Sequence, residues 1–231
     1  FFNLGNLYKE MDKLDKSIEN FNEAIKINKN FYNAYHNRAV VKRLLFRFED
    51  AIKDFDEALK INPKYFDSLF FKAITQLKIG DYENGWKNYE YRWETTNFPS
   101  PKRKFIQPCW NGTDNLNDKI ILLHGEQGLG DNIHFSRYFG LVKSKAKKTV
   151  LQIDKKLVQL FKDSNFGNYI FSNNEKLPDF DIHCPLLSLP YKFSTTLKNI
   201  PFHDKYLLPN ADRVKKWKKT FDNKFYNIGI N

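Results

Sequence analysis

Over the first ninety residues the apolar positions follow two rhythms. Locally they recur at helical spacing, and the whole pattern returns after 34 residues. Gly5 maps onto Ala39 and Ala73, Ser17 onto Ala51 and Gly85, and Ile18 onto Ile52 and Trp86. Phe21 maps onto Phe55 and Tyr89, and Ala24 onto Ala58. The segment from Glu23 to Asn28 is nearly copied from Glu57 to Asn62. Small residues recur where two helices must cross closely, and aromatics recur where a groove must be filled. The pattern predicts a stack of helical hairpins, each leaving an apolar face that the next one covers.

From residue 119 the rhythm changes to short apolar runs alternating with helical segments. Strands are predicted at 120–124, 149–153, 169–171, 180–183 and 226–230. Helices are predicted at 131–143, 154–162, 186–190 and 211–220. Such alternation argues for a parallel sheet with helices on both faces. The predicted organisation is a repeat region over 1–95, a linker over 96–118 and a sheet domain over 119–231.

The first region resembles the tetratricopeptide repeat in its period and in its small–aromatic–small pattern. Three copies are read. The third is degenerate, because Arg92 stands where a small residue is expected. Such repeats offer a concave face to proteins or extended peptides. Asn3, Asn6, Asn37, Arg38 and Lys72 are the candidate lining residues, since they fall on the first helices. They serve equally well as solvated helix positions.

The densest cluster of chemistry lies between the first predicted strand and helix, at His124-Gly-Glu-Gln-Gly-Leu-Gly-Asp131. Glycines at 125, 128 and 130 permit a tight turn and close backbone approach, and a helix start presents free N–H groups. Asp131 is placed to cap the helix. The glycine order differs from the dinucleotide fingerprint. Asp154, which stands where a ribose-binding acid would be, also suits a helix cap.

Gly125–Asp131, Phe135-Ser-Arg-Tyr138 and Asp181–Pro190 resemble, in that order, bacterial tetratricopeptide-repeat glycosyltransferase-like proteins. Their sugar-transfer half is similar to the heptosyltransferases, with the two-lobed GT-B fold. The resemblance implies an α plus α/β architecture: a helical-hairpin solenoid followed by a Rossmann-like parallel sheet domain, the incomplete N-terminal lobe of GT-B. It implies Asp131 as the general base and a loop for acceptor or phosphate made by Gly125, Glu126, Gln127, Gly128 and Gly130, with His183 facing the same cleft. Glu126 and Gln127 serve either loop support or acceptor contact. A nucleotide sugar would be the donor substrate of the full-length protein, and a protein or glycan the acceptor. With no second lobe in sight and a first copy that begins inside a helix, the chain is expected to be a fragment. It would bind no cofactor and be inactive alone. The alternative is a non-catalytic interaction module with a degenerate sheet domain.

Composition narrows the picture. Hydrophobic residues form 41% of the 231 and aromatics 16%, enough for a core. No apolar run is long enough to span a bilayer. Two cysteines make no disulfide framework and no metal-ligand spacing occurs, which points to the cytoplasm. The formal charge of +11 admits nucleic acid. Yet Lys supplies 31 of the 38 basic residues, where phosphate readers favour Arg, and this argues against it.

Overall fold

The computed structural model describes every residue except 97, 127, 165, 202–204 and 221–231. The chain divides into two compact units. One is Phe1–Arg103 with Phe193–Asn199, and the other is Lys104–Lys192 with the described residues from Ile200 onward.

The first unit contains three helical hairpins: α1 (Phe2–Glu10) with α2 (Leu14–Ile27), α3 (Tyr32–Leu44) with α4 (Phe48–Ile61), and α5 (Phe66–Lys78) with α6 (Tyr82–Tyr89). Each hairpin turns the same way. Asp12, Phe46 and Gly80, spaced 34 apart, all adopt positive φ. The next N–H reaches back into the helix in each case: Lys13 to Tyr8 O, Arg47 to Lys42 O and Asp81 to Gln76 O, at 2.8–2.9 Å. The small residues sit at the crossings. A Cβ on Gly5 would lie 2.7 Å from the Phe21 ring, and Ser17 Oγ donates to Gly5 O at 2.7 Å. Ala39, Ala51 and Phe55 form a fully buried cluster against Phe71.

The third hairpin departs from the pattern where Arg92 replaces the alanine of positions 24 and 58. Helix α6 stops at Tyr89 and tightens into a 3₁₀ turn, Glu90–Glu94. Arg92 is fully buried. It pairs with Glu90 at 3.0 Å, donates to Tyr89 O at 3.2 Å and lies 3.6 Å from the Trp93 ring centroid.

The second unit carries a small parallel sheet of four strands: β1 (Ile120–His124), β2 (Lys148–Ile153), β3 (Ile170–Ser172) and β4 (Ile182–Pro185). Their order is β3-β2-β1-β4, with Leu122 opposite Val150 on one side and His183 on the other. Ile121, Leu122 and Leu123 are all fully buried, as both-face burial of a central parallel strand requires. Beyond β4 the chain at 108–110 adds a parallel bridge, Cys109 to His183. His183 N donates to Pro108 O at 3.0 Å, and Trp110 N donates to His183 O at 2.7 Å. These residues fall within the stretch read from sequence as linker.

The helix expected at 131–143 is three pieces: α7 (Leu129–Phe135), a 3₁₀ turn at Ser136–Tyr138, and α8 (Phe139–Lys143). Ser136 Oγ bonds Ile133 O at 2.7 Å and competes with the helical ladder where it breaks. Then follow α9 (Lys155–Asp163), α10 (Leu189–Lys192) and α11 (Ala211–Lys218). Asp154 caps α9 by accepting from Lys156 N at 2.8 Å. The strand expected at 226–230 lies outside the described residues.

Candidate functional site

Strand β1 is where the sheet's order reverses. The next strand in sequence, β2, lies on one side of it, and β4 lies on the other. Ligands in open parallel sheets gather beyond the C-terminal edge at such a point. The glycine loop leaves β1 there. Gly125 N donates to Gln152 O at 2.8 Å and holds the loop's start to β2. A side chain on Gly125 would collide with Asn132 Oδ1, so this glycine makes room for Asn132. Asn132 is buried and donates through Nδ2 to Gly128 O at 2.6 Å. Gly128, with φ +71°, occupies the position before α7. Gly130 leaves open space where a side chain would stand.

Asp131 is not the helix cap. It sits in the first turn of α7, because the helix begins two residues earlier than its acid suggested. Its half-buried carboxylate makes no hydrogen bond or ion pair among the described residues. Burial pushes its pKa up, with His134 opposing. His134 is itself held below its usual range by burial and by Arg137. Gln127 lies outside the described residues, and Glu126 is half-buried.

His183 is on β4, close to His124, which opens the glycine-loop motif but carried no assigned role. His124, nearly fully buried at the end of β1, brings its Nε2 to 3.1 Å from His183 Nδ1. Phe105 packs edgewise against His124, at 5.4 Å between ring centroids. The signal for His124 was present, since a polar residue closing a buried strand beside a glycine loop calls for a partner. Among the described residues, no group of three or more His, Cys, Asp or Glu side chains is placed to hold a metal ion.

In the repeat unit the predicted face residues separate into two sets. Asn37 Nδ2 donates to Asn6 Oδ1 at 2.8 Å and links the first helices α1 and α3, while Asn3 is exposed. Arg38 and Lys72 turn instead toward second helices. Arg38 makes a two-pronged pair with Asp54 at 2.6 and 2.8 Å and reaches Asn22 at 2.7 Å. Lys72 pairs with Asp56 at 2.6 Å. Residues one position apart on a helix point in different directions, so Asn37 and Arg38 cannot share a face.

The first helices also present polar residues that were not singled out. His36 Nδ1 lies 2.8 Å from Ser68 Oγ, and burial pushes its pKa down to about 4. Its 34-residue equivalents are Phe2 and Phe70, so a buried histidine was legible there. Asp67 and Phe70 join His36 around a cavity of about 340 Å³. Arg43 lies over the Phe71 ring at 5.2 Å, its pKa lowered by burial.

The tetratricopeptide repeat family matches this chain over residues 1–31 and 32–65, so the chain carries tetratricopeptide repeats. Several solved repeat structures are similar to the helical part. The first repeat domain of Spaghetti (RPAP3), solved with an HSP90 peptide, is 22% identical, with 39% of this chain and 71% of that one covered and a TM-score of 0.38. The TPR2B domain of yeast Sti1, in a complex with pHsp70, is 23% identical over 38% and 70%, with a TM-score of 0.37. The Arabidopsis OM64 repeat domain is 22% identical over 39% and 74%, with a TM-score of 0.38. No curated protein matches the chain. No helix among the described residues is long and apolar enough to cross a membrane.

Proposed function

We propose that the chain is the acceptor-side part of a repeat-bearing, cytoplasmic glycosyltransferase, its sheet unit an N-terminal GT-B lobe and its repeats the recruiter of a protein partner. The observation that carries this reading is a half-buried carboxylate, Asp131, without an ion-pair partner among the described residues, just beyond the strand where the sheet's order reverses. Burial raises its affinity for a proton, as a base working near neutral pH needs. In this reading an acceptor hydroxyl lies against Asp131 and attacks the anomeric carbon of a nucleotide sugar. Asp131 takes the hydroxyl proton as the nucleotide departs. The open space at Gly130 admits the acceptor to the backbone, and the His124–His183 pair borders the cleft. In this reading a nucleotide sugar is the donor substrate of the full-length protein. The test is turnover of nucleotide sugars by the full-length protein. Asp131→Asn is expected to lower kcat by about 10²-fold or more. An unchanged kcat removes Asp131 from the chemistry.

A second reading keeps the repeats as a protein- or peptide-binding module beside a non-catalytic sheet. It is favoured by the Asn6–Asn37 link between first helices and the exposed Asn3 beside it, a polar strip suited to an extended backbone. Saturable binding of a nucleotide sugar to the full-length protein would exclude it.

A further inference from the structure

Beyond the 3₁₀ turn at Glu90–Glu94 the chain does not add another helix to the stack but comes back onto α5. Thr96 N donates to Asp67 Oδ1 at 3.3 Å, and Thr96 Oγ1 donates to Asp67 Oδ2 at 3.2 Å. Phe98 packs nearly edge-on against Phe70, with 5.8 Å between ring centroids, and against Trp93 at 6.4 Å. Thr95 is extended, and Pro99 disposes Phe98 to an extended backbone as well. Thr95, Phe98 and Pro99 line the cavity of about 340 Å³ together with the first-helix residues His36, Phe70 and Phe71.

This contact differs from the cap that closes a helical stack. A cap covers the last helix, which in this stack is α6, whereas Thr96 and Phe98 lie against α5, the first helix of its hairpin. A cap is also packed tight, whereas here a cavity remains where the segment meets α3 and α5. The attachment is weak besides. Thr96 is exposed, both its bonds to Asp67 are long, and Phe98 is only half-buried. We propose that Thr96 and Phe98 anchor a built-in occupant of the first-helix surface, which an extended partner of the same chemistry must displace. That chemistry is an N–H and a hydroxyl for Asp67, followed two residues later by an aromatic ring for Phe70. The inference rests on the second reading, in which the repeats bind a protein or peptide. The occupant lowers the partner's apparent affinity in proportion to the fraction of chains in which the surface is free.

The test is a fluorescence-anisotropy titration of a labelled peptide copying residues 95–100 with the full chain. The wild type is expected to bind it weakly. Thr96→Ala combined with Phe98→Ala loosens the occupant and leaves Asp67 and Phe70 in place, so it should tighten binding about tenfold or more. Adding Asp67→Ala to that double variant should return the affinity to the wild-type level or below, because the peptide's N–H and hydroxyl then lose their acceptor. A peptide with alanine in place of its phenylalanine should bind the double variant about tenfold more weakly. Equal affinity in the wild type and the double variant, no saturable binding by the folded double variant, or unchanged binding after Asp67→Ala would each overturn the proposal. The first of these leaves the second reading standing. That reading falls separately, on saturable binding of a nucleotide sugar, so the two failures are told apart. Far-ultraviolet circular dichroism checks that the variants fold.

Discussion

In the repeat unit, polar side chains on the first helices are matched to polar side chains on the second. Arg38 and Lys42 both close on Asp54, and Gln76 accepts from Asn88 at the corresponding place one repeat later. In the sheet unit, by contrast, Asp131 stands at one edge without an ion pair among the described residues, and Thr149 at the other without a hydrogen-bond partner among them. The contrast separates two uses of polarity. A polar group already matched within the fold holds helices in register. One left buried or half-buried and unmatched carries a free-energy cost that its surroundings do not offset.

The sharpest way to break this comparison is at Arg92. If the third hairpin tolerated the alanine of its sister positions, Arg92→Ala would be harmless. Because the arginine is fully buried and paired with Glu90, the substitution should cost about 3 kcal/mol, read by urea unfolding. His36 gives a pH-dependent effect of similar size. Its folded pKa is about 4 against 6.5 unfolded, so the unfolded chain takes up the proton first. The stability is complete above pH 6.5 and falls by about 3 kcal/mol as pH drops through 6.5 toward 4. His36→Phe, which restores the residue of positions 2 and 70, should flatten that slope in a series of unfolding curves. Next come two matched neutralisations. Asp54→Asn abandons two cations and should destabilise by about 2 kcal/mol. Asp131→Asn should leave Tm unchanged or slightly raised, since burial already disfavours that charge. Loss of stability in both variants would erase the distinction. The smallest effect is expected at Phe46, whose φ of +59° suits glycine better. Phe46→Gly should add about 0.5 kcal/mol, relief of the left-handed strain exceeding the added freedom of the unfolded chain.

Much of the repeat unit was legible because a 34-residue echo repeats each packing decision. Gly5 against Phe21, and Ala39 and Ala51 around Phe55, follow from it directly. Strand β1 was legible to the residue because an unbroken apolar run bounded by a glycine has few other solutions. The start of α7 was missed because a glycine at positive φ, not the nearest acid, precedes it. Arg38 and Lys72 were placed on the groove by helix membership alone, without the rotation of each position about the helix axis. Thr149 and the pairing of His124 with His183 escaped because their character lies in what surrounds them, which only the pairing of distant strands reveals. The glycine loop was found as a motif, but the uncompensated state of Asp131 depends on burial.

The polar seam of the repeats has a further consequence. Arg38 reaches Asn22 and Lys72 reaches Asp56, each partner 16 residues earlier in the chain. Because these are the same two positions one repeat apart, a block of 34 residues carries one donor position and one acceptor position. Copying such a block would bring its own fastening with it, and the new hairpin would meet a complementary neighbour on either side. The array could lengthen or shorten by unequal crossing-over without any interface having to evolve afresh.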